Sequence, residues 1–366
     1  MEINMKIIQY DESFNTDTHL PEYFKHFHPD ARLLFFDIET TGFVAKNTTL
    51  YLIGALWYEG DKIKIMQWFN EDSRSEEKIM TAFEQFCNKF THLVHFNGSG
   101  FDIPYLKQKA TLLNIPFTID KKMVQIDIYK EIRSFKKIFA LDNMKQVSIE
   151  RYLGIERQDT YSGKELIHIY QGYAASPAKE PEHLLLLHNH DDLLGMPQIS
   201  RILNYKAFFE KINIMSVDMN TEDTKLIISF TYDNFAHLPK RISLSENGIY
   251  LNAIEQKAIL SIPVFYRTLK YYFKDYKNYY YLPKEDIAIH KSVATFVEAQ
   301  NKEKATKNTC YTKITGKFIP CPAKDFDEAF QTSFNDQYRY QTLESLQLSN
   351  NEMQQNYIKN TLQTFI

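Results

Sequence analysis

Asp37 and Glu39 stand two apart at the end of an apolar run, LLFFDIE, residues 33–39. On a strand, positions i and i+2 share a face, so both carboxylates project together. Two like charges held side by side repel unless a cation or a basic group lies between them, and binding a cation is the chemistry such a pair invites. A D-x-E at a strand end is also the pattern of a solvated strand terminus; here Thr40-Thr41-Gly42 extends it to DIETTG. A second cluster is FNGSGFDIPYL, residues 96–106. Asp102 fits a helix N-cap with Pro104 in the first turn, and it fits a metal ligand approached over the open Asn97-Gly98 step. The third cluster is His188-Asn189-His190-Asp191-Asp192 on a helical stretch behind Leu184–Leu187. His188 and Asp192 are i and i+4 and share a face, as a helix-stabilising pair or as two members of a site. Ligation by Asp191 instead would put His188 at i, i+3.

Holding these side chains calls for a sheet. Residues 33–39, 51–58 and 62–69 read as strands, and Glu59-Gly60-Asp61 makes the last two a hairpin, so an antiparallel meander is expected. A helical spacing runs over 75–90, a short strand over 92–96, a helix over 102–113 and a fifth strand over 124–129. The order β-β-β-α-β-α-β is that of a mixed sheet with helices on its faces, and helical stretches near 142–153 and 182–204 close the unit.

In order and spelling, the three clusters resemble the motifs of the DEDD 3′–5′ exonuclease superfamily, which has the ribonuclease-H-like fold. FDIETTG followed by YLIG, then FNGxxFDxPxL, then HNxxD is similar to the bacterial YprB-type predicted exonucleases. So is LDNMKQVSIERYLGIERQDTYSG, residues 141–163, between the second and third motifs. The resemblance covers roughly residues 31–205. It implies that Asp37, Glu39, Asp102 and Asp192 hold two divalent metals, Mg²⁺ or Mn²⁺, and that the backbone around Thr40 and Thr41 is free to contact a terminal nucleotide. His188 departs from the pattern: it occupies the spacing of the tyrosine branch with the residue type of the histidine branch. Its titration near neutrality suits a general base, and two hard cations on oxygen ligands suit phosphodiester hydrolysis.

Composition sets the frame. The chain has 366 residues, 44% hydrophobic and 24% charged, with a formal net charge of −3. That length predicts two domains. No apolar run approaches the roughly 18 residues of a membrane span, and the first thirty residues lack a secretory h-region. Cys87, Cys310 and Cys321 fit neither a disulfide framework nor a close-spaced zinc site. A soluble, cytoplasmic protein with no membrane association is expected. His26 and His28 read as surface residues of an N-terminal arm, and Asp127 as a structural hydrogen-bonding group.

Neutrality conceals a local asymmetry. Residues 257–324 hold thirteen Lys and Arg against five Asp and Glu, a local charge of +8. Tyr266, Tyr271, Tyr272, Tyr276 and Tyr279–Tyr281 crowd its first part, interleaved with Lys270, Lys274 and Lys277. Single-stranded nucleic-acid grooves use this combination, with charge along the phosphates and rings against the bases; tyrosine-rich strands of an antiparallel core share it. Alternation at 225–232, 240–245 and 249–254, with Asn247-Gly248 between the last two, predicts β structure.

The expected organisation is therefore an arm over 1–30, an α/β ribonuclease-H-like domain with a mixed sheet flanked by helices over 31–205, and a β-rich (α+β) C-terminal domain with a helical tail over 206–366. The expected activity is a metal-dependent 3′–5′ exonuclease acting on single-stranded DNA or RNA. Asp37, Glu39, Asp102, His188 and Asp192 are its catalytic residues. Thr40, Thr41, Asn97, Lys270, Lys274 and Tyr272 contact the substrate. A non-catalytic nucleic-acid-binding or scaffold protein on the same fold is the alternative. A polymerase in the same chain lacks room after the motifs; a separate helicase or polymerase partner stays open.

Overall fold

The computed structural model describes residues 5–13, 20–60, 62–222, 224–233, 235, 237–322 and 329–366. The chain divides into two compact units: one runs to Phe208 and includes Asn234–Lys240, and the other comprises Phe209–Asp233 and Arg241–Ile366. Among the described residues no helix is long and apolar enough to cross a membrane.

The first unit is built on a six-stranded mixed sheet. Its strands are β1 (Met5–Ser13), β2 (Leu33–Thr40), β3 (Leu50–Glu59), β4 (Lys62–Asn70), β5 (His92–His95) and β6 (Val124–Asp127), in the order β1-β4-β3-β2-β5-β6. β2, β3 and β4 pair antiparallel, whereas β2–β5 and β5–β6 are parallel. The near-continuous apolar spelling of β2 and β3 reflects burial on both faces. On one face Leu34, Phe36 and Ile38 join Trp68, Phe83 and Leu106 in a core beneath the Glu76–Cys87 and Asp102–Leu113 helices. On the other, Tyr51, Leu52 and Phe69 pack on Leu166, Tyr170 and Leu185 of the Gly163–Ala175 and Lys179–Ile199 helices.

Three elements differ from the sequence reading. The segment expected as an arm supplies β1, which pairs antiparallel along β4 from Met5↔Asn70 to Ser13↔Lys62, and a helix, Glu22–Phe27. Its polar spelling is that of an edge strand, which needs an apolar face on one side only. The Gly163–Ala175 helix was also not anticipated, although Ser162 and Glu165 form a capping box that marks its start.

The second unit is antiparallel and β-rich. β7 (Ile214–Glu222), β8 (Lys225–Tyr232), β9 (Leu238–Glu246, of which residues from Arg241 on belong to this unit), β10 (Ile249–Glu255) and β11 (Lys257–Pro263) form a five-stranded sheet in the order β7-β8-β11-β10-β9. Asn247 and Gly248 both take positive φ, 50° and 80°, in the turn between β9 and β10, as a two-residue hairpin requires. β12 (Phe265–Tyr272), β16 (Tyr311–Pro320) and β17 (Tyr340–Thr342) make one three-stranded sheet; β13 (Tyr279–Leu282), β14 (Ile287–His290) and β15 (Glu303–Lys304) make another. The tail forms two helices, Leu343–Gln347 and Asn351–Leu362, rather than one, because the Asn350 side chain accepts the Met353 amide and caps the second.

Gly54 on β3 lies directly against the Lys179–Ile199 helix. A Cβ there would lie 2.0 Å from Asn189 Oδ1 and 2.7 Å from Leu193 Cδ1. Asn189 is fully buried and hydrogen-bonded, so it cannot swing aside. Gly54→Ala should therefore destabilise the protein by about 1–3 kcal/mol. Gly172→Ala, where a Cβ meets nothing within 4 Å, should be neutral or gain up to about 1 kcal/mol from helix propensity. Urea unfolding of the two variants measures the contrast.

Candidate active site

β2 delivers Asp37 and Glu39. Asp37 lies opposite Gly54 and Glu39 opposite Leu52; the register then shifts so that Thr40 meets Leu50. This irregularity skips Tyr51, whose hydroxyl reaches Glu39 Oε2 at 3.4 Å. Asp102 is the first residue of its helix, not the cap: Phe101 occupies the N-cap without a side-chain bond. The amides of Asp102 itself and of Ile38 lie near the Asp102 carboxylate and pull its pKa down against the effect of burial, which places the helix start beside β2 between the other two acids.

The Lys179–Ile199 helix brings the remaining groups. Asn189 donates to Asp37 Oδ2 at 3.0 Å, and its Oδ1 accepts from Gln67 at 2.9 Å. One turn sets His188 Nε2 at 3.5 Å from Asp192 Oδ2 and 3.6 Å from Glu39 Oε1. Asp191 faces elsewhere, accepting the amides of Gln158 and Asp159 at 2.8 and 2.7 Å. Among the register alternatives it is thus Asp192 that stands with His188.

A stretch between the second and third clusters completes the surroundings. Asp159, itself 3% exposed, holds His188 Nδ1 at 2.6 Å. Arg157 Nη1 contacts Asp192 Oδ1 at 2.6 Å and Glu150 Oε2 at 3.0 Å, and Gln146 Nε2 donates to the Asp192 carbonyl and to Glu150. Sequence reasoning missed Arg157, Asp159, Glu150 and Asn189. The available signal was the Arg-x-Asp in ERQDTYSG, whose Asp159 stands three residues before the Ser162 helix cap.

Electrostatics bind these groups into one system. Burial pushes the Asp37 carboxyl well above the usual range, and the charges of Glu39, Asp192 and Asp102 push it further. Glu39 and Asp102 are each raised to about 7, chiefly by burial; His188 and Tyr51 moderate the first, and the two backbone amides moderate the second. Burial opposes charging of His188, but Glu39, Asp192 and Asp159 outweigh it and raise its pKa overall.

Other expected residues fall in place unevenly. Asn97, with φ 61°, donates its amide to Asp127 Oδ1 at 2.9 Å. It lines a cleft of about 450 Å³ together with Asp37, Asp102, Phe101 and Tyr129. Asp127 also accepts the amides of Ser99 and Lys130, a structural role. The backbone after Glu39 is less free than expected: the Thr41 amide is bonded to the Thr49 carbonyl, and Thr40 Oγ1 to the Gly42 carbonyl. His26 stacks on Phe235 with ring centroids 3.9 Å apart. Lys270, Tyr272 and Lys274 belong to the second unit.

The donor set fits a divalent cation. Donor atoms of Glu39, His188 and Asp192 all lie within 4.8 Å of one another; Glu39 and Asp192 would hold a cation through carboxylate oxygens, with His188 Nε2 beside them. A cation among these carboxylates would favour their ionised forms, and their hard oxygens match Mg²⁺ or Mn²⁺. Because Asp37, Glu39 and Asp102 bind protons more tightly in the folded chain than in the unfolded one, stability in chelator should fall as pH rises from about 4 through about 7. Added Mn²⁺ or Mg²⁺ should raise the melting temperature, and by more at pH 7.5 than at pH 5. Thermal unfolding at both pH values checks this; a melting temperature that neither ion moves would count against metal binding here.

Comparison with known proteins follows the same half of the chain. The RNase_H superfamily profile matches residues 34–204. Over 168 residues the chain is 27% identical to the uncharacterized protein YprB of Bacillus subtilis (strain 168), an alignment that spans 45% of this chain and 40% of YprB. Among solved structures, the family B DNA polymerase of the hyperthermophilic archaeon Pyrobaculum calidifontis superposes with a TM-score of 0.38 and 14% identity, over 54% of this chain and 34% of the polymerase. The mixed sheet, its flanking helices and the profile match together make residues 34–204 a ribonuclease-H-like domain, followed by a β-rich region of antiparallel sheets.

Proposed function

We propose that the first unit is a metal-dependent 3′–5′ exonuclease hydrolysing phosphodiester bonds of single-stranded DNA or RNA, with Asp37, Glu39, Asp102 and Asp192 holding two divalent ions. The observation that carries this reading is that Glu39, His188 and Asp192 bring donor atoms within 4.8 Å of one another while the charges of Asp37 and Asp102 act on the same group. When bound, such ions activate a water and offset charge on the attacking and leaving oxygens. The chain's own groups do the rest. His188 Nε2 stands beside Glu39 and Asp192 to accept the proton of the attacking water, and Asp159 on Nδ1 fixes the tautomer that leaves Nε2 open. Asn189 orients Asp37 from behind, and Arg157 holds Asp192 in its rotamer. The cleft lined by Phe101, Tyr129 and Asn97 offers rings and an amide to the terminal nucleotide. The ribonuclease-H-like fold supports a nuclease reading in general; polarity and ion count rest on the motif resemblance.

End-labelled single-stranded DNA and RNA incubated with Mn²⁺ or Mg²⁺ test the proposal. Asp37→Asn, Asp102→Ala and Asp192→Asn should each abolish hydrolysis while leaving circular dichroism unchanged. Products that shorten from the labelled strand's 3′ end are expected; undiminished cleavage by any folded variant would remove the assignment. His188→Ala should lower the rate by about 10²–10⁴.

A further inference from the structure

The second unit carries a cavity of about 590 Å³ walled by Lys277, Lys291, Lys302 and Lys304, with Tyr276, Tyr279 and Tyr280 between them. No carboxylate is among the described residues lining it. The volume lies within the roughly 300–1,000 Å³ of small-ligand clefts, and four cations around it demand an anion. Strand geometry explains the cluster. Lys304 on β15 is the direct cross-strand partner of Tyr280 on β13, so both side chains leave the same face of that sheet. Lys302, two residues earlier and extended, shares that side, and its Nζ lies 5.4 Å from the Tyr280 ring centroid. Glu303, between them, points to the opposite face.

The four ammonium groups are not equivalent. Lys302 donates to the carbonyls of Ala294 and Val297, and Lys291 to Asn278; these two are held as fixed posts. Lys277 and Lys304 are exposed, and among the described residues their side chains have no ion-pair or hydrogen-bond partner. The basic residues singled out from sequence behave differently: Lys270 Nζ sits 4.0 Å over the Tyr311 ring, and Tyr272 packs edge-on against Tyr311 and Phe334. Tertiary packing thus moves the open basic and aromatic surface from Lys270 and Tyr272 to this cavity.

We propose that the Lys277–Lys291–Lys302–Lys304 cavity binds the sugar–phosphate backbone of a single-stranded nucleic acid, with phosphates on Lys277 and Lys304 and a base against Tyr280. The choice of a nucleic-acid strand among polyanions rests on the phosphodiesterase reading above; the cationic cavity itself does not. Ammonium groups distributed around an aromatic wall match a repeating phosphate with a planar substituent.

The test is fluorescence anisotropy of a labelled twelve-nucleotide oligo(dT) and oligo(rU) with the full chain in EDTA, titrated with salt. Lys277→Ala/Lys304→Ala should weaken binding at least tenfold and reduce the salt slope by about 1.4, as expected for two lost phosphate contacts on a single strand. Lys277→Arg/Lys304→Arg should restore both. Tyr280→Ala should weaken binding about fivefold or more, with an unchanged slope. Unchanged affinity and slope in the double Ala variant overturn the site. A loss seen equally with polyglutamate, and indifferent to Tyr280→Ala, overturns the nucleic-acid assignment in favour of an acidic polypeptide. Displacement of the oligonucleotide by millimolar inorganic phosphate as effectively as by unlabelled strand assigns a free phosphate and overturns it likewise. Hydrolysis is scored separately with Mn²⁺. If the strand binds through these lysines but is never cleaved, the activity proposed above fails and the site stands; if it is cleaved while the double Ala variant binds normally, the reverse holds.

Discussion

Gathering carboxylates out of water is the constraint on which the first unit turns. Two like charges about 4 Å apart repel by about 4 kcal/mol at the effective dielectric of a protein, and Asp37, Glu39, Asp102 and Asp192 all act on one another. The fold offsets this repulsion with a shell of donors. Asn189 serves Asp37, Tyr51 and His188 serve Glu39, and Arg157 serves Asp192, while the nearby Ile38 amide lowers the Asp102 pKa. Each donor comes from an element whose position is fixed by core packing, so the acidic cluster is only as rigid as the sheet and the Lys179–Ile199 helix beneath it.

That helix shows how packing and chemistry share residues. Its apolar positions Leu185 and Leu186 bury against β3 and β4, and Gly54 lets the backbones come close enough for Asn189 to span from Gln67 to Asp37. The same turn sets His188 and Asp192 at the edge of the cluster. On its far side Asp191 grips the amides of Gln158 and Asp159, and that stretch returns Arg157 to Asp192 and Asp159 to His188. The helix and the 157–159 segment therefore brace each other, and a change in either would be felt at both the acid and the base.

The second unit solves a different problem. Its positive charge is spread along many short antiparallel strands, where cross-strand registry decides which lysines share a face with which rings. Asp286 illustrates the selection: Tyr281, Tyr311 and Lys313 all bond to it and hold its carboxyl well below the usual range. Those residues are thereby committed to structure, whereas Lys277 and Lys304 beside Tyr280 stay exposed as an open cationic face.

Much of the first unit was legible in the sequence because its signals are local. A buried strand ending in D-x-E, a Gly60 hairpin and an i, i+4 His–Asp pair each follow from backbone periodicity; they yielded β2 through β6 and marked Asp37 with Glu39, and His188 with Asp192, as face-sharing pairs, whereas joining the pairs into one site rested on the motif resemblance. β1 was not legible, since an edge strand with one apolar face has little to distinguish it from a polar arm. Asp102 was legible as a residue but ambiguous as a role: it is the first residue of its helix rather than the cap, and its carboxylate is acted on by groups of β2, more than sixty positions away in the sequence. Arg157, Asp159 and Asn189 act only through contacts with residues distant in sequence, and Lys270 and Tyr272 were placed by Tyr311 rather than by their own spacing. The sequence by itself determined which residues could do chemistry and on which local faces they lie, because side-chain direction follows from helix and strand periods. Tertiary structure decided which of them meet, because hydrogen bonds and charge interactions act over a few ångströms while the chain separates their partners by tens of residues.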